Sequence, residues 1–388
     1  MLDRLKIEQQ LQHVRLQKNE ISSVDQKKIL AEVWKKIVQD HQFALHAQEA
    51  EAYFSIPSWQ GILNQICAVK PMQQAYAVLG VDGSQIYPDR HQVHVQQALI
   101  NTGGMGIAYE HDDPVMLFSE PELSALERVD ALTGELIVVT ADWINFEREA
   151  REFEMGLLFA QMMEQKTGKK PILLFDGTLL FLHLLSASIT DRTYFFDRYT
   201  HALSALQEAG ILYASYLSAP RNKDLIHLLK LGLCRFARAN CKPCHEAYDQ
   251  FPCEAVDSFF DRDLMKEVLP LGHRTIFFKT AKNSLLPYSD SMYPYFAYLH
   301  SEHEVGRIEL PAWIVKDQSL ADSVCSVIMD QIKKGHGYPL ILAEAHEQAV
   351  VKQADKEYFY YVCMQQAIEQ NIPLYYSEKS IKKQQMPY

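Results

Sequence analysis

The chain has 388 residues, of which 48% are hydrophobic and 22% charged, enough apolar material to bury a large core in one elaborated domain or two. Its formal net charge of -11 argues against a nonspecific nucleic-acid coat, which carries a basic excess, while leaving room for an enzyme with a local basic groove. No apolar run reaches the roughly 18 residues of a membrane span, and the charged opening MLDRLKIEQQLQHVRLQKNE is unlike a secretory signal, so a soluble cytoplasmic protein is expected.

Residues 1 to about 53 space Leu, Ile and Val at helical intervals among Gln, Lys and Glu, as in IEQQLQHVRLQKNEI and KKILAEVWKKIVQDHQFAL. Residues 1–70 are therefore expected to form a helical arm or cap without chemistry of its own, and 71–388 one compact domain. From residue 75 the texture changes to short strands, AYAVLGV, HQVHVQQALI and then GIAYE or PVMLFSE, separated by the turn-rich YPD, NTGGMG and HDDP; an antiparallel meander is expected. A helix over about 143–167 follows, then strand KPILLFD, helical segments to about 209, strand ILYASYLS and helix KDLIHLLKLGL. Strands that alternate with helices pair in parallel through right-handed crossovers, which places KPILLFD beside AYAVLGV. The last third offers RTIFFKT, YPYFAYLH and VGRIELPAWIV as strands and a helix near 318–334. KKGHGYPLILAEAHEQAVV reads as a short apolar strand feeding a helix that begins near Glu344 to His346, and a final helix covers about 355–370. The fold class is α/β, with a mixed sheet and helical appendages at both ends.

Two of these strands end their apolar runs alike, in Val81-Asp82-Gly83-Ser84 and in Asp176-Gly177-Thr178. Neighbouring strand ends bring Asp82 and Asp176 together, at the sheet edge where α/β folds bind ligands. Close carboxylates repel unless a cation or a proton lies between them. Either Asp alone is also a good turn or helix cap. A third carboxylate is expected from the helix between the strands, which offers Glu147, Glu149, Glu152 and Glu154. With Phe146, Ala150, Phe153, Leu157 and Ala160 as its buried stripe, Glu154 and Glu149 border that stripe and Glu152 points to solvent. Glu154 is thus the expected inward carboxylate and Glu149 the alternative, while an ordinary charged face paired with Arg148 and Arg151 is the competing reading. His346 follows the short strand and opens the helix, where a side chain reaches the sheet edge, and suits a metal ligand or a proton carrier near neutral pH.

The phrases AVLGVDGS, ILLFDGT, LYASYLSAPRNKDLIHLLKLGLC, GRIELP and GYPLILAEAHEQAVV occur in that order across roughly residues 75–365. Together they resemble the NurA nuclease family. The resemblance implies an RNase H-like core with a Mn²⁺ (or Mg²⁺) site that cleaves DNA, working as a homodimer beside a HerA-type hexameric ATPase that translocates DNA, in end resection, repair or defence. By position it implies Asp82 and Asp176 as the motif aspartates, His346 as the terminal histidine and Tyr338 as the tyrosine before it; the glutamate is the least fixed. Asp82, Glu154 and Asp176 would then hold metal, with His346 binding metal or moving a proton and Tyr338 positioning a phosphate. Arg221, in SAPRNKD between a strand and a helix, is a candidate phosphate contact. A noncatalytic dimeric adaptor for a DNA motor and a metal-dependent phosphohydrolase acting on nucleotides are the competing functions.

CRFARANCKPCHEAYDQFPC gathers Cys234, Cys241, Cys244 and Cys253, four of the seven cysteines, into one short segment. An odd total with no small disulfide frame fits a reducing compartment. The Cys241 to Cys244 spacing is half of a metal knuckle, and four thiolates suit Zn²⁺ or an iron–sulfur cluster equally. Such a site would be structural, since a closed four-thiolate site keeps no open position.

Overall fold

The computed structural model describes residues 3–18, 23–88, 97–109, 114–125, 127–129, 134, 136–235, 238–247, 251–281 and 283–371. Helices α1 (Arg4–Lys18), α2 (Ser23–Gln39) and α3 (Phe43–Gln48) precede two short strands, β1 (Ser58–Trp59) and β2 (Ile66–Ala68). The meander is β3 (Ala77–Ile86), β4 (Gln97–Ala108) and β5 (Val115–Ala125), followed by a small hairpin of β6 (Glu127–Val129) and β7 (Leu136–Val138). Residues 91–96 of the strand expected over 91–100 lie outside the described residues. Next come α4 (Ala141–Thr167), β8 (Ile172–Asp176), α5 (Ile189–Glu208), β9 (Tyr213–Leu217) and α6 (Asp224–Leu233). Then follow α7 (Cys241–Ala247), a 3-10 turn over Pro252–Val256, α8 (Asp261–Val268), β10 (His273–Thr275), β11 (Phe278–Lys279), β12 (Pro294–His300) and β13 (Val305–Pro311). The chain closes with α9 (Ala312–Val315), α10 (Gln318–Lys334), α11 (Leu340–Ala349) and α12 (Gln353–Glu369).

Among the described residues, one mixed sheet of 11 strands runs β1-β11-β12-β13-β9-β8-β3-β4-β5, with β10 paired to β12 and carrying β2. The meander β3-β4-β5 is antiparallel. After the long α4 crossover, β8 returns parallel to β3, and β9 lies parallel to β8, as strands separated by helices are expected to do. The crossover is well delimited: Thr140 caps α4 by accepting from the Trp143 amide at 3.1 Å, and Gly168 ends it in the left-handed conformation.

Successive residues of a strand face opposite ways, and β3 separates its apolar side chains accordingly. Leu79 and Val81 pack with Phe153, Phe175, Phe181 and Tyr199 beneath α4 and α5. Val78 packs on the other face with Leu174, Ile308, Val324, Ile328 and Ile341 beneath α10 and α11. Both faces of the parallel strands are thus covered, which explains their near-continuous apolar sequence.

The first 70 residues are more than a helical arm. Leu30, Trp34 and Ile37 of α2 are buried in a third cluster with Leu225 and Leu229 of α6, Leu264 of α8, and Phe278 and Phe296 of the sheet. Moreover β1 pairs with β11 and β2 with β10, so no break in packing falls at residue 70. Strands of two and three residues are too short to show a period of two.

Candidate active site

The β3–β8 register pairs Val81 with Phe175, so Asp82 and Asp176 follow side by side on adjacent parallel strands. Strand β3 does not stop at Asp82, however. Its other neighbour, β4, goes on pairing from Asp82–Gly103 to Ile86–Leu99, while β8 ends at Asp176. Gly177 makes the expected turn, at φ +116°. Just beyond it, Thr178 Oγ1 and the Leu179 amide donate to Glu309 at 2.7 and 2.8 Å. Glu309 is fully buried on β13 and accepts from Arg307 Nε at 2.7 Å, so the loop that carries Asp176 is tied to the sheet.

Helix α11 places the histidine. PLIL is not a strand: Ile341, Leu342, Ala345 and Ala349 are the buried face of one continuous helix, and a backbone turn through Gly335–Gly337 and Pro339 precedes it. The helix lies directly on β3 and β4, where a Cβ on Gly80 would stand 2.5 Å from the Ile341 carbonyl oxygen and one on Gly103 would collide with the Ala349 amide. Only residues without a Cβ admit so close an approach. Asn101 Nδ2 at 2.8 Å and Ser84 Oγ at 2.5 Å both donate to the Ala349 carbonyl, satisfying an otherwise orphaned helix end. Anchored there, His346 Nδ1 lies 2.7 Å from Asp82 Oδ2, and Asp82 Oδ1 accepts from the Gly83 amide at 2.7 Å. An ionised Asp82 only accepts, so Nδ1 carries the proton and Nε2 is left as the free acceptor of a largely exposed ring.

Tyr338 lies beside Asp176, close enough for the two groups to shift each other's acidity, and its ring packs edge-on against Tyr216 at 5.9 Å. Tyr216 in turn donates to Glu304 at 2.8 Å. Burial, with the charges of Asp176 and Asp82 added, holds the Tyr338 hydroxyl far above the usual phenol range, so it remains a donor. Asp176 is itself raised, first by desolvation at the crowded strand end and then by the Asp82 charge, against Tyr338 and His346.

The helix glutamate that lies buried beside the strand of Asp82 is Glu152, not Glu154. Glu152 is 7% exposed, lies against Gly83 where a Cβ would strike it, and is paired with Arg148. Arg148 Nη1 also donates to the Gly83 carbonyl at 3.2 Å. The glycine after Asp82 therefore serves the approach of these two side chains and makes no turn. Glu154 is turned away: its side chain is 39% exposed and accepts from Arg198 Nε and Nη2 at 2.9 and 3.0 Å. Glu149 meets His183 Nε2 at 2.6 Å, and Glu147 pairs with Arg151 and Arg198. Burial pushes the Glu152 carboxyl up to about 8, with Asp82, Glu149 and Asp176 adding to burial and Arg148 opposing it. The contributions of Asp82 and Asp176 to that rise put Glu152 within electrostatic reach of both aspartates. Arg221 is exposed on the β9–α6 connection, following the strand that flanks β8.

Asp82, Glu152 and Asp176 are hard-oxygen donors whose crowding a divalent cation would relieve, so the donor set fits Mn²⁺ or Mg²⁺ in kind. Asp82 and Glu152 are engaged by His346 and Arg148, and Asp176 lies beside Tyr338. Among the described residues no three His, Cys, Asp or Glu side chains are posed to close on one ion.

The sequence pattern of the NurA domain family matches residues 76–351, which takes in every element named above from β3 to α11. The chain belongs to the NurA domain family. The crystal structure of the NurA nuclease from Sulfolobus solfataricus aligns with it at a TM-score of 0.46 and 11% identity, covering 95% of this chain and 98% of that one. No curated protein matches the chain.

Within the NurA domain, Glu152 is buried where helical periodicity points it to solvent. Helix α4 is buried on two sides, against α5 through Phe146, Ala150 and Phe153 and against the sheet along a second line. On that line Gly156 meets Leu173 and Phe175, Phe159 stacks on Phe118, and Met163 faces Gly106. Glu152, Gly156, Phe159 and Met163 recur at helical spacing, and that row was the available signal. Among the described residues no helix is long and apolar enough to cross a membrane.

Proposed function

We propose that this NurA-domain protein is a divalent-metal-dependent deoxyribonuclease, a phosphodiester hydrolase with an RNase H-like core. One observation carries the reading: Asp82, Glu152 and Asp176 gather at one sheet edge with His346 bound to Asp82, inside the stretch that matches the family. The run β5-β4-β3-β8-β9, an antiparallel meander continued by two parallel strands, supports the RNase H-like description. Mn²⁺ or Mg²⁺ would be held by Asp82, Asp176 and Glu152, which takes the place expected for Glu154. Such an ion supplies positive charge to the scissile phosphate and acidity to the attacking water.

The chain's own groups do the rest. Asp82 holds the His346 Nδ1 proton, so Nε2 accepts a proton from water or returns one to the leaving oxygen. Tyr338 stays protonated and offers its hydroxyl to a phosphate oxygen. Arg148 balances Glu152 and brings a second cationic group to the same edge. A net charge of -11 leaves DNA to be held by a narrow lining, Arg221 included, and by a partner. The fitting assembly is a cytoplasmic homodimer docked on a HerA-type hexameric DNA translocase in end processing, repair or defence.

Incubating the protein with single- and double-stranded DNA in Mn²⁺, Mg²⁺ or EDTA tests the reading. Cleavage is expected with metal, none with EDTA, and none in Asp82→Ala or Asp176→Ala. Cutting that survives EDTA or either substitution overturns the metal site. Hydrolysis of free nucleotides without DNA cleavage makes it a phosphohydrolase, and binding to a DNA motor with neither activity makes it an adaptor.

A further inference from the structure

Between α6 and α8 the chain runs through a segment with almost no core of its own. Among the described residues from 235 to 255 only Ala239 is buried, although Val256 at its end reaches the α2–α6 cluster. Yet the segment is placed with care. Glu51 and Asn240 form a bridge, in which the Glu51 amide donates to the Ala239 carbonyl at 2.9 Å and the Cys241 amide to the Glu51 carbonyl at 3.0 Å. Asn240 Nδ2 donates to Glu51 Oε2 at 2.7 Å, and Arg238 pairs with Glu49 at 2.9 Å. Polar contacts at the surface hold such a segment weakly, because exposed pairs contribute about 0–1 kcal/mol each.

The four clustered cysteines sit at the ends of the short elements of this segment. Cys234 is the C-cap residue of α6, Cys241 opens α7 and Cys244 stands one turn further on. Cys253 lies in the 3-10 turn Pro252–Val256, which packs against α6. All four are free and half-buried. Their thiols feel one another: Cys244 is raised by desolvation and then by Cys234 and Cys241, and Cys253 by desolvation, with Cys241 among the smaller contributions.

We propose that Cys234, Cys241, Cys244 and Cys253 bind one structural Zn²⁺ ion that staples the α6–α8 segment beneath the chain following α3. Among the described residues no three His, Cys, Asp or Glu side chains close on one ion, so the four thiols must be drawn together as the ion binds. One C-x-x-C pair with two further cysteines supplies the four thiolates of a closed tetrahedral zinc site; the spacing alone also suits an iron–sulfur cluster, so the metal found decides between them. With no open coordination position, the ion would have no part in hydrolysis. Each thiol ligates as the thiolate and gives up its proton on binding.

The full chain, purified without air and freed of loosely bound metal, is expected to carry about one zinc per molecule, with these four thiols protected from a thiol reagent until a mercurial or strong chelator releases the ion. Protein grown on cobalt should show the thiolate-to-metal absorption of a tetrahedral sulfur site. Asp82→Ala and Cys67→Ser should keep their zinc, and Cys244→Ser should lose it and unmask the remaining three thiols. Absence of zinc with all four thiols reacting at once overturns the proposal. So does iron with a cluster chromophore, and so does zinc that departs with Asp82→Ala and stays with Cys244→Ser. None of these readings depends on DNA cleavage.

Discussion

Glu152 is where the two carboxylates of the sheet meet the helix, and the substitutions that distinguish it from its neighbour are conservative. Glu152→Gln keeps the shape and removes the carboxylate that would hold metal, and DNA cleavage is expected to fall on the order of 100-fold or more, the scale of losing one preorganised electrostatic partner. Glu154→Gln breaks a partly exposed pair with Arg198 and should cut within about two-fold of the parent, since such pairs contribute little. Equal activity of the two variants would remove Glu152 from the site. The same residue gives a pH dependence. Its folded carboxyl is pushed up to about 8, above the roughly 4.3 of an unfolded chain, so between these values the folded state holds a proton that the unfolded state has lost. Its contribution to stability is therefore fully present below about 4.3 and is lost as pH rises through about 8. Melting of the metal-free protein should drop over that window, and the drop should be smaller in Glu152→Gln; identical pH profiles would show that Glu152 titrates normally. The juxtaposition of Asp82 with Asp176 was legible because each interrupts the apolar run of a strand and the two strands are joined through a helix. Glu152 was not, because its position is readable only when both buried faces of α4 are known.

At the scale of elements, α11 is the piece whose seating decides whether the histidine reaches Asp82. Its apolar doublet Ile341-Leu342 reads as a strand in isolation, and Ala345 and Ala349 turn it into a helical face only once their burial is seen. What holds it is the absence of side chains beneath it, at Gly80 and Gly103. Gly103→Ala puts a Cβ into the Ala349 backbone, where neither backbone can yield without a shift. Overpacking of this kind costs about 1–3 kcal/mol, but the larger effect is expected on the His346–Asp82 bond at 2.7 Å. Activity should fall well beyond what the loss of stability explains, and the imidazole nitrogen resonances should lose the signature of a fixed tautomer. A variant that melts lower while keeping full activity and an unchanged histidine spectrum would show that the helix tolerates displacement. The parallel pairing of β3 with β8 was legible from alternation with helices. The persistence of β3 past Asp82 was not, because it depends on β4 continuing beside it.

For the molecule as a whole, the question is whether residues 1–70 form an appendage or part of one cooperative unit. Their helical periodicity suggested an arm or a cap packed on the main domain; α2 shares a buried cluster with α6, α8 and the sheet, and β1 and β2 extend the sheet through β11 and β10. Leu30 is fully buried in that cluster, and Leu30→Ala removes methyl groups from a packed environment, at a cost of about 2–5 kcal/mol. If the chain folds as one unit, the whole unfolding transition shifts down together, and amide exchange in β3 and β8 speeds up although both lie in clusters other than the one that holds Leu30. An appendage predicts a different outcome, in which α2 and α3 melt early, the β3 and β8 amides keep their protection, and DNA cleavage survives heating past the first transition. Hydrogen exchange read strand by strand separates the two. A uniform loss of protection is the expected result, because α6 joins the two regions: it packs on α2 along its length, and its first residue, Asp224, accepts from buried Arg307 at 2.7 Å, next to the Glu309 that anchors the loop of Asp176.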